Sequence, residues 1–322
     1  MTSDTVTIGS RGSALALWQA HWVQAELKRE FPALRTTIEI IKTTGDRILD
    51  SPLSMIGDRG LFTREIEEAL LEHRIDLAVH SLKDLPTELP DGLCLGATCV
   101  REDVRDVFIP HSGNPRRLLL EQLPGARIAT GSLRRRSQLL HLRPDFEIID
   151  IRGNLNTRMS KLEESAWAGM ILARAGVVRL GWEKAIGESI PADVLLPAVG
   201  QGALGIEIRK GDKETLALVS PLGHIPTTQA TVAERALLRR LGGGCQVPIG
   251  TFARMEKGSP FQLHLDAVVG SLDGRRLVRG KIHGDPAGAE AIGGKLAETL
   301  LAGGADRILR DIRAGSGAHE PA

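Results

Sequence analysis

Short apolar runs, each released into a polar or glycine-rich turn and followed by a helical period, recur along the first two-thirds of the chain and predict an α/β architecture. Thr5–Ile8 reads as a strand, Gly9-Ser10-Arg11-Gly12-Ser13 as its turn, and Ala14–Arg29 as an amphipathic helix. Thr36–Lys42 is the next strand. Thr43–Gly60 carries three glycines and little periodicity, and reads as a long loop, either beside a ligand or as a plain surface connection. Leu61–His73 resumes as a helix, with Phe62 at its start placed to wall a pocket or to face the core. The apolar run Leu77-Ala78-Val79 then forms a buried strand that delivers His80, Ser81, Lys83 and Asp84 onto a loop closed by Pro86. Polar side chains at the mouth of a buried strand are costly unless something binds there.

After a strand at Leu93–Cys99 and a charged stretch, Arg101–Arg105, where the chain crosses into a second lobe, the opening pattern returns. Strand Arg127–Ala129 leads into Thr130-Gly131-Ser132-Leu133-Arg134-Arg135-Arg136 and a helix to Leu142. Gly-Ser-Arg at the first turn and Gly-Ser-Leu-Arg-Arg at the second both place arginine at a helix start, where backbone N–H groups and the helix dipole favour an anion. The repeat is open to two readings: similar anion sites that the two lobes present across one cleft, or tight-turn glycines without a ligand at the first turn and a solvated helix end at the second. Strand Phe146–Ile151 is followed by Arg152-Gly153-Asn154, with Asn154 as cap of a helix whose face is Leu155, Met159 and Leu162 and which carries Arg158. Strand Gly169–Ala173 precedes Arg179. The turn Leu195–Gly202 positions Gln201 and Gly202, and the strand Ala203–Arg209 returns the chain to the first lobe.

From Pro221 the character changes to a small α+β unit: a helix at Thr228–Leu241, a glycine loop around Cys245, and a strand ending at a solvent turn, Met255–Pro260. A hairpin of Phe261–Gly270 with Arg275–Gly284 through an Asp-Gly turn follows, then a helix at Ala287–Ala302, a short helical segment to Arg313 and a tail from about residue 314. The expected domains are 1–100 with 201–220, 101–200, and 221–322.

Composition narrows the function. The 322 residues suggest two or three cores, and 42% hydrophobic residues suffice to fill them. Lys+Arg 41 against Asp+Glu 40 gives a net charge of +1, with no Tyr and 3% aromatic residues. Neither the field nor the stacking platforms expected of a nucleic-acid binder are present. No apolar run reaches 18 residues and no leader-like segment opens the chain, so a cytoplasmic location is expected. Cys94, Cys99 and Cys245 form neither a disulfide framework nor a zinc-ligand pattern, and no metal is expected. Cys245 follows three glycines that keep its sulfur accessible; the thiol is open to reading as a nucleophile, a covalent anchor or an inert side chain. An arginine-lined two-lobed cleft also suits a solute-binding module for a small polycarboxylate, although such a module has no use for Cys245 in a glycine loop or for Asp84 facing the arginines.

Taken together, GSRGSALALWQA, GLFTREIEEALL, AVHSLKDLP, GSLRRRSQL, IRGNLNTR, AGVVRLG, LPAVGQGALGIE and GGCQVPIG closely resemble the hydroxymethylbilane synthases, or porphobilinogen deaminases, over about residues 5 to 312. The resemblance implies two lobes of the periplasmic-binding-protein kind plus a small C-terminal α+β domain. It implies an enzyme that joins four porphobilinogens head to tail, with loss of ammonia, on a dipyrromethane cofactor attached to Cys245 by a thioether. Carried over by motif, the catalytic residue is Asp84. The cofactor set is Cys245, Ser81, Lys83, Asp84, Ser132, Arg134, Arg135, Arg152, Gln201 and Gly202; the substrate set is Arg11, Ser13, Gln19, Phe62, Arg152, Arg158 and Arg179. The implied partners are porphobilinogen and the growing polypyrrole chain, with no nucleic acid and no membrane, on a monomer. Gly131 before Ser132 and the additional Arg136 depart locally from the family pattern.

Overall fold

The computed structural model describes residues 5–47, 62–116, 118–242, 247–256 and 259–317. The first lobe opens with β1 (Thr5–Ser10), α1 (Ala14–Glu30), β2 (Arg35–Ile40), a single turn α2 (Thr44–Arg47), α3 (Arg64–Leu71), β3 (Leu77–Ser81) and β4 (Leu93–Thr98). The second contains β5 (Asp106–Pro110), β6 (Arg127–Ala129), α4 (Leu133–Leu142), β7 (Glu147–Ile149), α5 (Leu155–Glu163), β8 (Gly169–Ala173), α6 (Arg174–Arg179) and β9 (Glu188–Ser189). The chain then returns as β10 (Leu204–Arg209) and α7 (Lys213–Val219) before α8 (Ile225–Arg240), β11 (Ile249–Glu256), β12 (Ser259–Gly270), β13 (Leu277–Gly284), α9 (Ala289–Leu300) and α10 (Asp306–Gly317).

The two larger sheets repeat one design. Their strand orders are β2-β1-β3-β10-β4 and β7-β6-β8-β5-β9. In each, the first three strands run parallel, and the strand that follows an inter-lobe crossing, β10 or β5, inserts antiparallel between the last two. Each lobe is thus completed by a strand reached only after a crossing. The repeat extends to the turns: Ser13 caps α1 by accepting from the Ala16 N–H, and Ser132 caps α4 by accepting from the Arg135 N–H. Buried Gln19, Ala20, Val23 and Leu27 give α1 its inward stripe, and Lys28 and Arg29 in its last turn complement the helix dipole. Asn154 caps α5 through the Thr157 N–H.

The third sheet, β11-β12-β13, packs with α8 and α9 around Leu237, Leu263, Leu265, Leu296 and Leu300. It is tied to both crossings by Glu234 of α8, a fully buried carboxylate that receives both terminal nitrogens of Arg101 at 2.8 and 3.0 Å, the Gly200 N–H at 2.7 Å and the Ala253 N–H at 2.8 Å.

Several elements depart from the periodicity. β5 is absent from the sequence reading because Asp106-Val-Phe-Ile-Pro is too short to show alternation and begins with an acid. α7 is likewise not predicted by the periodicity, although Asp212 caps it by accepting from the Thr215 N–H. α8 begins three residues earlier than expected, with Pro226 in its first turn, where a missing N–H costs no hydrogen bond. α10 runs on through Gly317, past the expected end at Arg313. Most of the long loop after residue 43 lies outside the described residues.

Candidate active site

On the first-lobe side, β3 ends in one tight turn, Leu82–Asp84. Buried Leu82 and Leu85 flank it and pin it to the core, so the intervening Lys83 is held half-buried and Asp84 exposed. The Leu82 N–H donates to the Ala203 carbonyl at 3.0 Å, anchoring the turn to the return crossing. There Gly202 has φ +89°, and a Cβ on it would stand 2.5 Å from the Glu102 carbonyl oxygen; glycine is required by both the dihedral and the close approach. Behind the turn, buried Gln19 donates to Ser81 Oγ at 2.8 Å. The Arg11 guanidinium lies 4.4 Å from the centre of the Phe62 ring, a cation–π contact that joins two expected substrate residues to each other.

Beneath the same strand, His80 Nε2 is 3.0 Å from Glu207 Oε2, both side chains buried. Burial pushes the nearby Glu67 carboxyl up and the charge of Glu207 adds to this, while the Thr63 hydrogen bond and His80 oppose it.

The second lobe contributes a residue that the motifs do not flag. Asp106, first in β5 and fully buried, accepts from Arg134 Nη1 and Arg135 Nη2, each at 2.7 Å, and from Gln201 Nε2 at 2.9 Å. Burial raises its pKa, but the two guanidiniums outweigh that and hold the carboxyl far below the usual range. Arg134 also donates to the Leu196 carbonyl at 2.7 Å, and Arg135 to the Ile171 carbonyl at 2.9 Å. The Nε atoms of both arginines, and Gln201 Oε1, are buried without a hydrogen-bond partner among the described residues. Arg136 points elsewhere and donates to the Leu272 carbonyl.

Between the lobes lies a cavity of about 80 Å³. Ser81, Lys83 and Gly202 line it from one side and Arg135, Arg158 and Arg179 from the other, with Leu15 and Leu155 as apolar wall. Arg179 donates to the Gly202 carbonyl at 2.8 Å and lies 5.6 Å from the Trp18 ring centre. Arg158 donates to the Gly153 carbonyl at 2.8 Å; burial, then Arg135, lowers its pKa to about 10. Burial likewise lowers Lys83 to about 8, with Asp84 and Asp106 opposing and Arg135 and Arg134 adding. Arg152 is half-buried, its pKa lowered by desolvation against the pull of Asp150. Four cations facing one small volume are an environment for a polyanion.

A family model described as porphobilinogen deaminase, dipyromethane cofactor binding domain, matches residues 6–217, and one described as porphobilinogen deaminase, C-terminal domain, matches residues 228–302. The chain belongs to the porphobilinogen deaminase family. It is 54% identical over 310 residues to the porphobilinogen deaminase of Chlorobium phaeobacteroides (strain BS1), covering 95% of this chain and 97% of that one. It is 53% identical over 309 residues to that of Chlorobaculum tepidum, with the same coverage. Among solved structures it is similar to the Bordetella pertussis BvgS periplasmic VFT2 domain, at 12% identity and a TM-score of 0.41 over 67% of this chain and 85% of that one. The methionine binding protein MetQ is similar at 13% identity and a TM-score of 0.41, over 72% and 94% of the two chains.

Of the porphobilinogen deaminase motif residues, Ser81, Lys83, Arg135, Arg158, Arg179 and Gly202 meet around one cavity. Arg134 and Gln201 stand behind it on Asp106, and Ser13 and Ser132 cap helices. Cys245 lies outside the described residues. The donors suit a group carrying carboxylates: Arg135, which lines the cavity, has a buried Nε still without an acceptor. Cys94 and Cys99 belong to the packing of the first lobe, where burial pushes the Cys99 thiol up to about 12. Among the described residues no cluster of His, Cys, Asp and Glu could hold a metal ion, and no helix is long and apolar enough to cross a membrane.

Proposed function

We propose that this protein joins four porphobilinogen molecules head to tail on a dipyrromethane held by Cys245 through a thioether, releasing ammonia at each coupling, and hydrolyses the product to hydroxymethylbilane. The observation that carries this reading is the cationic inter-lobe cavity of Lys83, Arg135, Arg158 and Arg179 beside the Lys83–Asp84 turn. Each pyrrole ring of the substrate bears an acetate and a propionate. Guanidinium forks set at fixed positions on two lobes hold such a chain by its carboxylates and leave the ring carbons free to react. When bound, the dipyrromethane supplies the first nucleophilic pyrrole carbon; Ser81, Lys83, Ser132, Arg134, Arg135, Arg152, Gln201 and Gly202 are the residues that would hold it.

Arg11, Ser13, Gln19, Phe62, Arg152, Arg158 and Arg179 receive porphobilinogen. Positive charge develops at the substrate aminomethyl group as ammonia leaves, and Asp84 is the carboxylate that offsets it and takes up the ring proton. Lys83, one residue before it, would hold a cofactor carboxylate as a point charge and is cationic below about pH 8. The proposed division of labour places anion binding on 1–100 with 201–220 and on 101–200, and the cofactor anchor on 221–322. On the same reading the enzyme is a cytoplasmic monomer whose partners are porphobilinogen and the growing polypyrrole chain, not nucleic acid or membrane; the net charge of +1 supports this. The deciding experiment measures porphobilinogen consumption against ammonia and hydroxymethylbilane formed. A purified, cofactor-loaded protein that consumes no porphobilinogen refutes the proposal.

A further inference from the structure

Arg235 sits on α8, buried, five residues before the end of the helix. Its guanidinium crosses to the first lobe and donates to two successive backbone carbonyls, Nη2 to Pro86 at 2.6 Å and Nη1 to Leu85 at 3.4 Å. These are the two residues that follow Asp84. They lie outside any strand, so no sheet ladder holds the chain where it leaves the turn. Within the turn itself the closing bond, Leu85 N–H to the Leu82 carbonyl, is long at 3.3 Å. On the entry side the turn is fixed by the Leu82 N–H on Ala203 and by the buried Leu82 side chain. On the exit side the buried Leu85 side chain pins the turn to the core, and the fork of Arg235 adds the direction of the backbone, a task that suits two diverging donors on one planar group.

The same helix holds the inter-lobe crossings through Glu234, the residue immediately before, and in the sequence Cys245 follows ten residues after Arg235. We propose that Arg235 is a positioning residue for the catalytic turn: it registers Lys83 and Asp84 of the first lobe against the helix that leads to the cofactor anchor. Arg235 does not line the inter-lobe cavity, so it acts through the backbone of Leu85 and Pro86 and not on substrate. Its other side faces a separate cavity of about 540 Å³ between α8 and β4, so truncation there opens onto existing space. This inference rests on the reading of Asp84 as the catalytic carboxylate.

The test compares Arg235→Ala and Arg235→Lys with the parent as cofactor-loaded enzymes, and with Arg239→Ala, which removes a neighbour on the same helix paired with exposed Glu290. Two readouts are taken: steady-state kinetics with porphobilinogen, and hydrogen exchange of the Leu82 and Leu85 amides. Arg235→Ala should lower kcat by about 10- to 100-fold with KM little changed, the pattern of a misplaced catalytic group. Its Leu85 amide should exchange roughly 10-fold faster, as expected when charged donors to the turn are lost. Arg235→Lys keeps the charge but not the fork and should fall between Ala and the parent, while Arg239→Ala should match the parent in both readouts. If both Arg235 variants keep parental kcat and parental exchange at the turn, and only melt earlier, Arg235 is a structural tie and the proposal is wrong. Should Arg235→Ala fail to fold, the Lys variant decides by the same two readouts. Exchange at the turn does not depend on what Asp84 does chemically, so an active Asp84→Asn enzyme would overturn the catalytic reading while leaving the exchange result to judge Arg235.

Discussion

Asp106→Asn tests whether a single carboxylate holds the second-lobe arginines in place. The substitution keeps the shape but removes the charge that faces two buried guanidiniums, and it replaces one acceptor oxygen with an amide that points N–H groups at other N–H groups. Arg134 and Arg135 are 4% and 5% exposed, so solvent cannot take over. Breaking a buried pair from one side costs about 3–5 kcal/mol. At about 2–4 °C per kcal/mol for a domain of this size, the melting temperature should drop by roughly 6–20 °C at pH 7. The pH dependence has a definite sign. Because the folded-state pKa of Asp106 is depressed, its stabilisation is complete above the unfolded value of about 4 and is lost as pH falls toward the much lower folded value. The gap between parent and variant should therefore narrow on acidification below about pH 4. Adding Arg134→Met to Asp106→Asn should recover part of the loss, since an unpaired buried cation is removed. Scanning calorimetry of the three proteins across pH measures all of this. An Asn variant that melts with the parent at pH 7 refutes the argument.

Asp84→Asn should fold as the parent does and lose at least about 10²-fold in single-turnover ammonia release, the low end of general acid–base contributions; Asp84→Glu should retain more. Lys83, lowered to about 8, is cationic below that pH and would then hold a cofactor carboxylate, so porphobilinogen turnover should fall as pH rises through 8, and Lys83→Gln should flatten the profile. The linkage runs the other way for stability: between about pH 8 and about 10.4 the unfolded lysine binds more protons than the folded one, so its burial penalty is relieved and stability rises with pH from this group alone. Cys245→Ser should lose both the mass of two linked pyrroles and activity, because a hydroxyl is not ionised near neutral pH as a thiol partly is; intact-mass spectrometry reads it directly. Gly202→Ala should cost about 1–3 kcal/mol, since it forces a Cβ to 2.5 Å from a carbonyl oxygen at φ +89°, and denaturant titration would show it.

How much of the site could be read in advance depends on where each residue's partner lies. Asn154 acts on an N–H group three residues away, so its capping role follows from local sequence; Ser13 and Ser132, expected only at anion sites, make the same local contact. Lys83 and Asp84 are legible as polar residues ending a buried run. Asp106, Glu207 and Arg235 are not, because each makes its contacts with residues 28 to 150 positions away. An acid at the start of a short strand carries no signature until two arginines arrive against it.

By itself the sequence determined the alternation of strands and helices, the repeat of the Gly-Ser-Arg turn, the change of character after residue 220, and through its motifs the family. These are properties of local period, capping and turn chemistry, and they survive without knowledge of which strands pair. Tertiary structure alone decided that β5 and β10 each complete a sheet antiparallel to the strands beside them, with the chain crossing between lobes to reach both. It also decided that adjacent Arg134 and Arg135 both reach Asp106 while, of the two, Arg135 also lines the cavity. On a helix, neighbours point about 100° apart. Their surroundings are then set by whatever packs on each side, which no run of the sequence contains.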